Sequence, residues 1–408
     1  MGDKVFDFCV GDRVFKVATD AADALLGYTL KNERTWEPWQ LELYRRLLKP
    51  DAVCYDIGGN VGTSSLAMSK YAPNGHVFAF EPVKNTLRIL NDNIKRNGIS
   101  NIETVAVGLS NVEGEASIIV DRAMLGNAHQ VKDYHKLAST QYVETMQLMP
   151  LDTWRRVNSK PRPDLIKIDV EGFEIEVFEG GEETFNDPSL LVIVEFAIIP
   201  QRTSGNSYFP EIPKDALFFD MLQKKFRHVF LIGRDAKLFP VKSYAELRVL
   251  MMRGYPVDDL LCCQAIPSAV ADLISVPEMP KWLTTGAILV GDSLFSTLNR
   301  DDDGWAMKLG SELSGVSGII AHVSHPTMLT IDLAPLKYEN IDVGLRPVMV
   351  ASENGVKFAA EGESVPIPLH TGVNWILLEA QHDFSASRYF GNPSDHRRIS
   401  FGYTLRTG

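Results

Sequence analysis

VCYDIGGNVGTSSLAMSKYAPNGHVFAFE, Val53 to Glu81, is the stretch that decides how this chain folds. Val53 to Ile57 is a short, mostly apolar run and reads as a buried strand. Gly58-Gly59-Asn60-Val61-Gly62 follows as a turn, and Thr63-Ser64-Ser65 can cap the helix that begins there. His76 to Phe80 reads as a second strand, ending on Glu81. Strand, glycine turn, helix and strand in this order make half of a βαβ nucleotide site. The glycines let the backbone come close to a ligand, and the helix start presents unpaired N–H groups. An acid at the end of the second strand can accept hydrogen bonds from both ribose hydroxyls.

Glycine spacing narrows the ligand. A dinucleotide fingerprint requires glycine at the first, third and sixth places. Counted from Gly58, those places hold Gly58, Asn60 and Thr63, so the fingerprint fails. What stands instead is Asp-x-Gly-x-Asn-x-Gly, from Asp56 to Gly62. This resembles motif I of S-adenosylmethionine-dependent methyltransferases, and Asn60 in place of the middle glycine resembles the FkbM family. An acid before the turn suits a ligand with an ammonium group and no pyrophosphate, as at the methionine end of S-adenosylmethionine.

A second signature, PDLIKIDVEGFE from Pro163 to Glu174, strengthens the resemblance. Leu165 to Ile168 reads as a strand whose carboxyl end carries Asp169, Glu171 and Glu174. IKIDVEGFE is close to a hallmark of the FkbM family and follows the LDTW element, Leu151 to Trp154, at the family's separation. The strand Leu190 to Glu195 ends in Glu-Phe, as the family's does. The resemblance covers residues 35 to 200 well and 200 to 268 more loosely. It implies a Rossmann-like class I methyltransferase fold with S-adenosyl-L-methionine as cofactor.

The expected cofactor contacts are Asp56, Gly58, Gly59, Asn60 and Gly62 at the methionine end and Glu81 at the ribose. Val107, at the end of the strand Glu103 to Val107, is expected near adenine, because ligands meet the carboxyl ends of successive strands. Asp169 is expected beside the sulfonium or the acceptor, with Glu171 or His129 as the candidate base. His129 lies in the polar stretch Asp121 to Thr140. Glu37, which starts the strongly periodic helix Glu37 to Leu48, is a possible contact to cofactor or acceptor. No metal-ligand set is evident.

The 408 residues suit two domains, and 45% hydrophobic with 23% charged content is that of an ordinary globular chain. A net charge of −11 argues against nucleic acid as the main partner. Cys9, Cys54, Cys262 and Cys263 contain no C-x-x-C pair, which suits reduced thiols in a cytoplasmic protein. No secretory signal and no apolar run long enough to span a bilayer are visible.

Ile266 to Lys281 contains Pro267, Pro277 and Pro280 and reads as a linker. Beyond it, short alternating runs between Gly, Pro, Asn and Asp turns read as an antiparallel sandwich. The expected organisation is an N-terminal extension (1–34), a methyltransferase domain (35–268), a linker (269–285) and a smaller all-β sandwich-like domain (286–408). The tail, Phe390 to Leu405, resembles a module of bacterial polysaccharide glycosyltransferases. Gly291-Asp292-Ser293-Leu294 imitates the first block of a GDSL hydrolase, but the partner motifs are absent from the sequence. The expected function is O-methylation of a sugar or glycan hydroxyl, with surface-polysaccharide biosynthesis as the suggested setting. The alternatives are a non-sugar acceptor or a glycan-binding protein on a non-catalytic methyltransferase scaffold. Oligomeric state is open.

Overall fold

Parallel strands are covered on both faces and so need near-continuous apolar runs. The strands at the centre of this protein are such runs. The computed structural model describes residues 3–121, 129–130, 141–197, 214–251, 257–275, 288–292, 316–323, 326–334, 347–360, 363–380, 384–385, 398–399 and 402–407. The chain begins with an antiparallel hairpin, β1 (Lys4–Val10) and β2 (Arg13–Thr19), followed by α1 (Ala24–Glu33) and α2 (Pro38–Leu47). Next come β3 (Val53–Ile57), α3 (Thr63–Tyr71), β4 (His76–Phe80), α4 (Lys84–Arg96) and β5 (Ile102–Val105). A separate small sheet then forms from β6 (Gly108–Leu109), β7 (Gly114–Asp121), β8 (His129–Gln130) and β9 (Gln141–Met149). The main series resumes with α5 (Leu151–Val157), β10 (Leu165–Ile168), α6 (Glu174–Gly180), α7 (Glu182–Phe185) and β11 (Leu191–Ala197). It is followed by α8 (Lys214–Lys225), β12 (His228–Ile232), β13 (Leu238–Pro240), α9 (Tyr244–Met251) and β14 (Val257–Cys263).

The main sheet has eight strands in the order β13-β12-β14-β11-β10-β3-β4-β5. β11, β10, β3, β4 and β5 run parallel, while β12 is antiparallel to both β13 and β14. From β3 the chain steps outward to β4 and β5, then returns to place β10 on the other flank of β3. The strand order therefore reverses between β3 and β10, which opens a crevice beyond their carboxyl ends. Register puts Ile57 beside both Ile168 and Phe80. The residues that follow, Gly58, Asp169 and Glu81, are thereby delivered to one rim.

Two packing devices hold that rim. α4 buries Thr86, Ile89, Leu90, Asn93 and Ile94, spaced three and four residues apart on one face. Asn93 is fully buried; its amide donates to the carbonyls of Ala18 and Val61, both at 2.9 Å, and accepts from Ala18 N at 2.7 Å. One side chain thus ties the hairpin to the glycine turn. On the opposite face, Trp154 of the LDTW element lies edge-on to Tyr55, Phe78 and Phe80, with ring centroids 5.7, 5.5 and 4.6 Å away. Such edge contacts contribute about 0.5–1.5 kcal/mol each beyond burial. They account for the tryptophan in that element.

The chain divides into two units: Met1–Ala197 with Met221–Pro240 and Asp258–Val276, and Ile198–Asp220 with Val241–Val257 and Pro277–Gly408. The first stretch of the expected linker is folded with the first unit. Ser268–Leu273 is a 3-10 helix with Val270 fully buried, and Asp272 pairs with Arg46 of α2 at 2.7 Å. The second unit contains α9 and the strands β15 (Ile288–Asp292), β16 (Val316–Val323), β17 (Thr327–Ala334), β18 (Pro347–Ser352), β19 (Gly355–Ala360), β20 (Ser364–Leu369), β21 (Gly372–Ala380), β22 (Phe384–Ser385), β23 (Arg398–Ile399) and β24 (Gly402–Thr407). They form antiparallel sheets in the orders β15-β16-β21-β18-β19, β20-β17-β24 and β22-β23. Leu329, Ile331 and Leu333 of β17 share one core with Val350, Ile376 and Leu378 of the five-stranded sheet. Alternate residues of both sheets thus face inward, as in a sandwich. Pro366 and Pro368 sit on β20 at the edge of its sheet, where a missing N–H costs no ladder bond. Ser293 and most of the tail fall outside the described residues.

Candidate active site at the strand ends

The glycine turn is shaped by contacts that exclude side chains. Gly58 has φ +87°, and a Cβ there would lie 1.8 Å from the carbonyl oxygen of Asp169. Gly58 N and Gly59 N both donate to Phe80 O, at 3.0 and 2.8 Å. Gly62, φ +96°, precedes α3 and accepts from Leu66 N at 2.9 Å. The tips of β3, β4 and β10 are thus locked together through backbone alone.

Glu81 is buried at the edge of this turn. One carboxylate oxygen accepts from Asn60 N at 3.0 Å and the other from Val83 N at 2.8 Å. Burial pushes its pKa up to about 7 against those two hydrogen bonds. Asp56 lies deeper, fully buried, with Ser65 Oγ donating to Oδ2. Asp56 Oδ1 and Asn60 Oδ1 are buried without a hydrogen-bond partner among the described residues.

Two cavities open from the turn and share Gly58, Asn60, Asp169 and Glu171. The first, about 110 Å³, is bounded by Glu81, Val107, Ile118, Met146, Leu148 and Phe173 among others. β7 and β9 supply three of its apolar walls, so the small sheet is a wall of the site. The second, about 200 Å³, is bounded by Glu37, Thr63, Ser64, Lys167, Asp169, Glu171 and Glu195 among others. Of the six non-glycine residues with positive φ among the described residues, three line this chamber: Glu37 (46°), Asn60 (45°) and Glu171 (54°). Such conformations cost about 1–3 kcal/mol each and cluster where function requires them.

Charge in the chamber is unevenly balanced. Lys167, from the middle of β10, places Nζ 2.9 Å from Asp169 Oδ2. Burial works against its charge, but Asp169, Asp56 and Glu37 outweigh it and hold the ammonium well above its ordinary range. Burial, then repulsion from Asp259, lifts Glu37 to about 8. Burial, then repulsion from Asp169 and Glu174, lifts Glu171 to about 8. Glu195 is raised well above normal by burial and by Asp169 and Glu171. Carboxylate oxygens of Asp169, Glu171 and Glu195 fall within 4.8 Å of one another, a spacing that could hold a metal ion.

Most of the expected site residues meet here. Gly58, Gly59, Asn60, Glu81, Val107, Asp169 and Glu171 line one or both cavities, as does Glu37. Asp56 and Gly62 shape the turn from beneath. His129 is on β8, opposite Ile119, and its side chain lies outside the described residues. Glu174 serves the backbone: its carboxylate accepts from Val170 N and Gly172 N, at 3.3 and 3.1 Å.

Sequence reasoning missed Lys167, Glu195 and Asp259. A lysine inside the apolar run LIKI was a visible signal, since a buried cation needs a partner. Asp259 had none. It accepts from Trp39 Nε1 at 2.9 Å and Gln40 Nε2 at 2.8 Å, and so fixes the start of α2, where Glu37 stands. The Arg234 guanidinium covers the same indole at 3.9 Å.

A strand, glycine turn and helix facing a terminal acid on the next strand, at a reversal of strand order, defines the cofactor site of a Rossmann-like methyltransferase. Residues 56–227 match the model of the methyltransferase FkbM domain. Among named relatives, the chain is 29% identical over 143 residues to "Hexuronic acid methyltransferase AglP" of Haloferax volcanii, covering 35% of this chain and 55% of that protein. It is 27% identical over 162 residues to "2-O-methyltransferase NoeI" of Sinorhizobium fredii, covering 35% of this chain and 65% of that one. The chain thus spans between about half and two thirds of these relatives. A solved FkbM methyltransferase from Methylobacillus flagellatus aligns at TM-score 0.33 and 14% identity, over 54% of this chain and 47% of that one.

Proposed function

We propose that the protein is an O-methyltransferase that moves a methyl group from S-adenosylmethionine to a hydroxyl of a sugar or glycan. The observation that supports this reading is the pairing of a largely apolar cavity bounded by Glu81 with an acid-lined chamber, the two meeting at Gly58 and Asp169. The residues present fit the cofactor. The unpartnered oxygen of Asn60, which lines both cavities, suits the ammonium-bearing end, and the bare backbone at Gly58 admits a close approach. The names of the two relatives, a hexuronic acid methyltransferase and a 2-O-methyltransferase, support a sugar hydroxyl as acceptor.

When bound, the cofactor supplies a methyl group on positively charged sulfur. Glu81 holds the ribose, Val107 and the walls from β7 and β9 hold the base, and the turn holds the amino-acid end. Asp169, fixed by Lys167, orients the acceptor for in-line attack, and alignment is the larger part of the rate. Glu171 takes the hydroxyl proton. A carboxyl raised to about 8 is a stronger base than an ordinary one and still ionises near neutrality. All four cysteines are free thiols, which agrees with a reducing, cytoplasmic setting. No helix among the described residues is long and apolar enough to cross a membrane.

The test is incubation with methyl-labelled S-adenosylmethionine and a panel of sugar nucleotides, oligosaccharides and non-sugar alcohols, read by mass spectrometry. Label on a sugar oxygen is expected. Label only on non-sugar acceptors, or none on any, rejects the reading.

A further inference from the structure

The helix α1 has apolar side chains on two faces. Leu26, Gly27 and Leu30 form its buried face, while Leu25 and Tyr28 are 54% and 68% exposed. These two are three residues apart, so they are neighbours on the helix surface. A lone exposed apolar side chain is ordinary, but this pair adjoins the site. Leu25 and Leu26 line the acceptor-side chamber, and Trp36 lines it from the link between α1 and α2. Trp36 is firmly held. It stands between Arg34 and Glu37, which both take left-handed backbone (φ 57° and 46°), and it packs half-buried against the core. Asp23, on the same side, caps α1 by accepting from Leu26 N at 3.1 Å.

The chamber is therefore polar on the walls from β10 and β11 and largely apolar along the rim from α1 and Trp36. A sugar ring has the matching division. Its hydroxyls project from the edge, and its C–H groups gather on a face that packs against aromatic and aliphatic side chains. Tyr28 continues the rim outward, about 5–6 Å beyond Leu25, a step comparable to one sugar unit. Resting on the sugar-methyltransferase reading above, we propose that the acceptor is a glycan of at least two units. The ring that carries the reacting hydroxyl lies against Trp36 and Leu25, and the next ring lies across Tyr28 on the outer face of α1. A nucleotide-activated sugar fits this path less well, because its diphosphate would lie against Asp23 and Glu37.

The test uses the full-length protein, methyl-labelled S-adenosylmethionine and a matched panel. The panel holds glucose, galactose, mannose, N-acetylglucosamine and glucuronic acid, di- and trisaccharides that carry each at the non-reducing end, and the nucleotide-activated forms. For each sugar that is methylated, the best oligosaccharide should show kcat/KM at least about tenfold above the free monosaccharide and the nucleotide sugar. Tyr28→Ala should raise KM for that oligosaccharide about fivefold or more with kcat within about twofold, and raise the monosaccharide's KM by less. Tyr28→Phe should restore most of the loss. An oligosaccharide no better than its monosaccharide or its nucleotide sugar overturns the proposal. So does a Tyr28→Ala variant that takes up S-adenosylhomocysteine normally yet keeps the wild-type KM, or loses oligosaccharide and monosaccharide equally. In those outcomes the sugar-methyltransferase reading stands. Methylation of no sugar in the panel defeats that reading, and this proposal with it.

Discussion

The two cavities on either side of Gly58 and Asp169 differ in origin as well as in chemistry. The nucleoside side is mostly apolar, and the acid that it alone contains, Glu81, belongs to the same contiguous stretch as the glycine turn, Val53 to Glu81, while Asp169 and Glu171 are shared with the other cavity. The acceptor side is built from α2, β10, β11 and α3, elements that lie far apart in sequence. One half of the site is a local motif; the other is made by strand order. The difference separates what a sequence motif can specify from what only a completed sheet can bring together.

The largest expected effect falls on the ridge between them. Gly58→Ala forces a Cβ onto the Asp169 carbonyl at a φ that disfavours side chains, so both cavities should be lost together. Cofactor binding should fall below detection by calorimetry, with a lower melting temperature. Retained affinity would show that the tips of β3 and β10 are not locked as described. Glu81→Ala is selective by comparison. Losing charged hydrogen bonds to two ribose hydroxyls should weaken cofactor binding by about 100-fold or more. Glu37→Gln, on the other side, should leave cofactor affinity nearly unchanged, and comparable losses in both variants would erase the distinction between the two sides.

These predictions track how much was legible. The glycine turn, Glu81 and the IDVEG turn could be read because each is contiguous and its chemistry needs those residues in order. The parallel order around β3 followed from the same units. The antiparallel walls Ile118, Met146 and Leu148 lie in β-rich runs whose alternation does not say which sheet a strand joins or what it covers. In the sequence Glu195 is one acid at the end of an apolar strand, and Asp259 is one of two adjacent aspartates, with nothing local to place either at the site. Only the reversal of strand order brings β11 beside β10, and only the antiparallel arm brings β14 next to β11.

A smaller effect comes through pH. Glu37 is raised to about 8 and faces Asp259 on β14, Asp169 and Lys167 from β10, and Arg234 near β12. A carboxyl raised in the folded state stabilises the protein below its unfolded pKa and loses that contribution as pH climbs through the folded value. The melting temperature of the ligand-free protein should therefore fall between about pH 5 and pH 9. Glu37→Gln should flatten that fall, while Glu42→Gln, at an exposed ion pair, should not. A flat profile in the wild type would contradict the picture of a strained acid chamber. The smallest effect is expected at the apolar wall. Met146→Ala should weaken cofactor affinity by about fivefold, because it removes about 1 kcal/mol of packing that only the nucleoside side uses. Unchanged affinity would mean that β9 does not contact the ligand.

Calorimetric titration with 5′-methylthioadenosine, the nucleoside half of the cofactor without its amino-acid end, isolates one side of the cleft. The wild type and Glu37→Gln should bind it with equal affinity, and Glu81→Ala at least about tenfold more weakly. Equal binding by Glu81→Ala and the wild type, or a loss caused by Glu37→Gln instead, would contradict the division of the site described above.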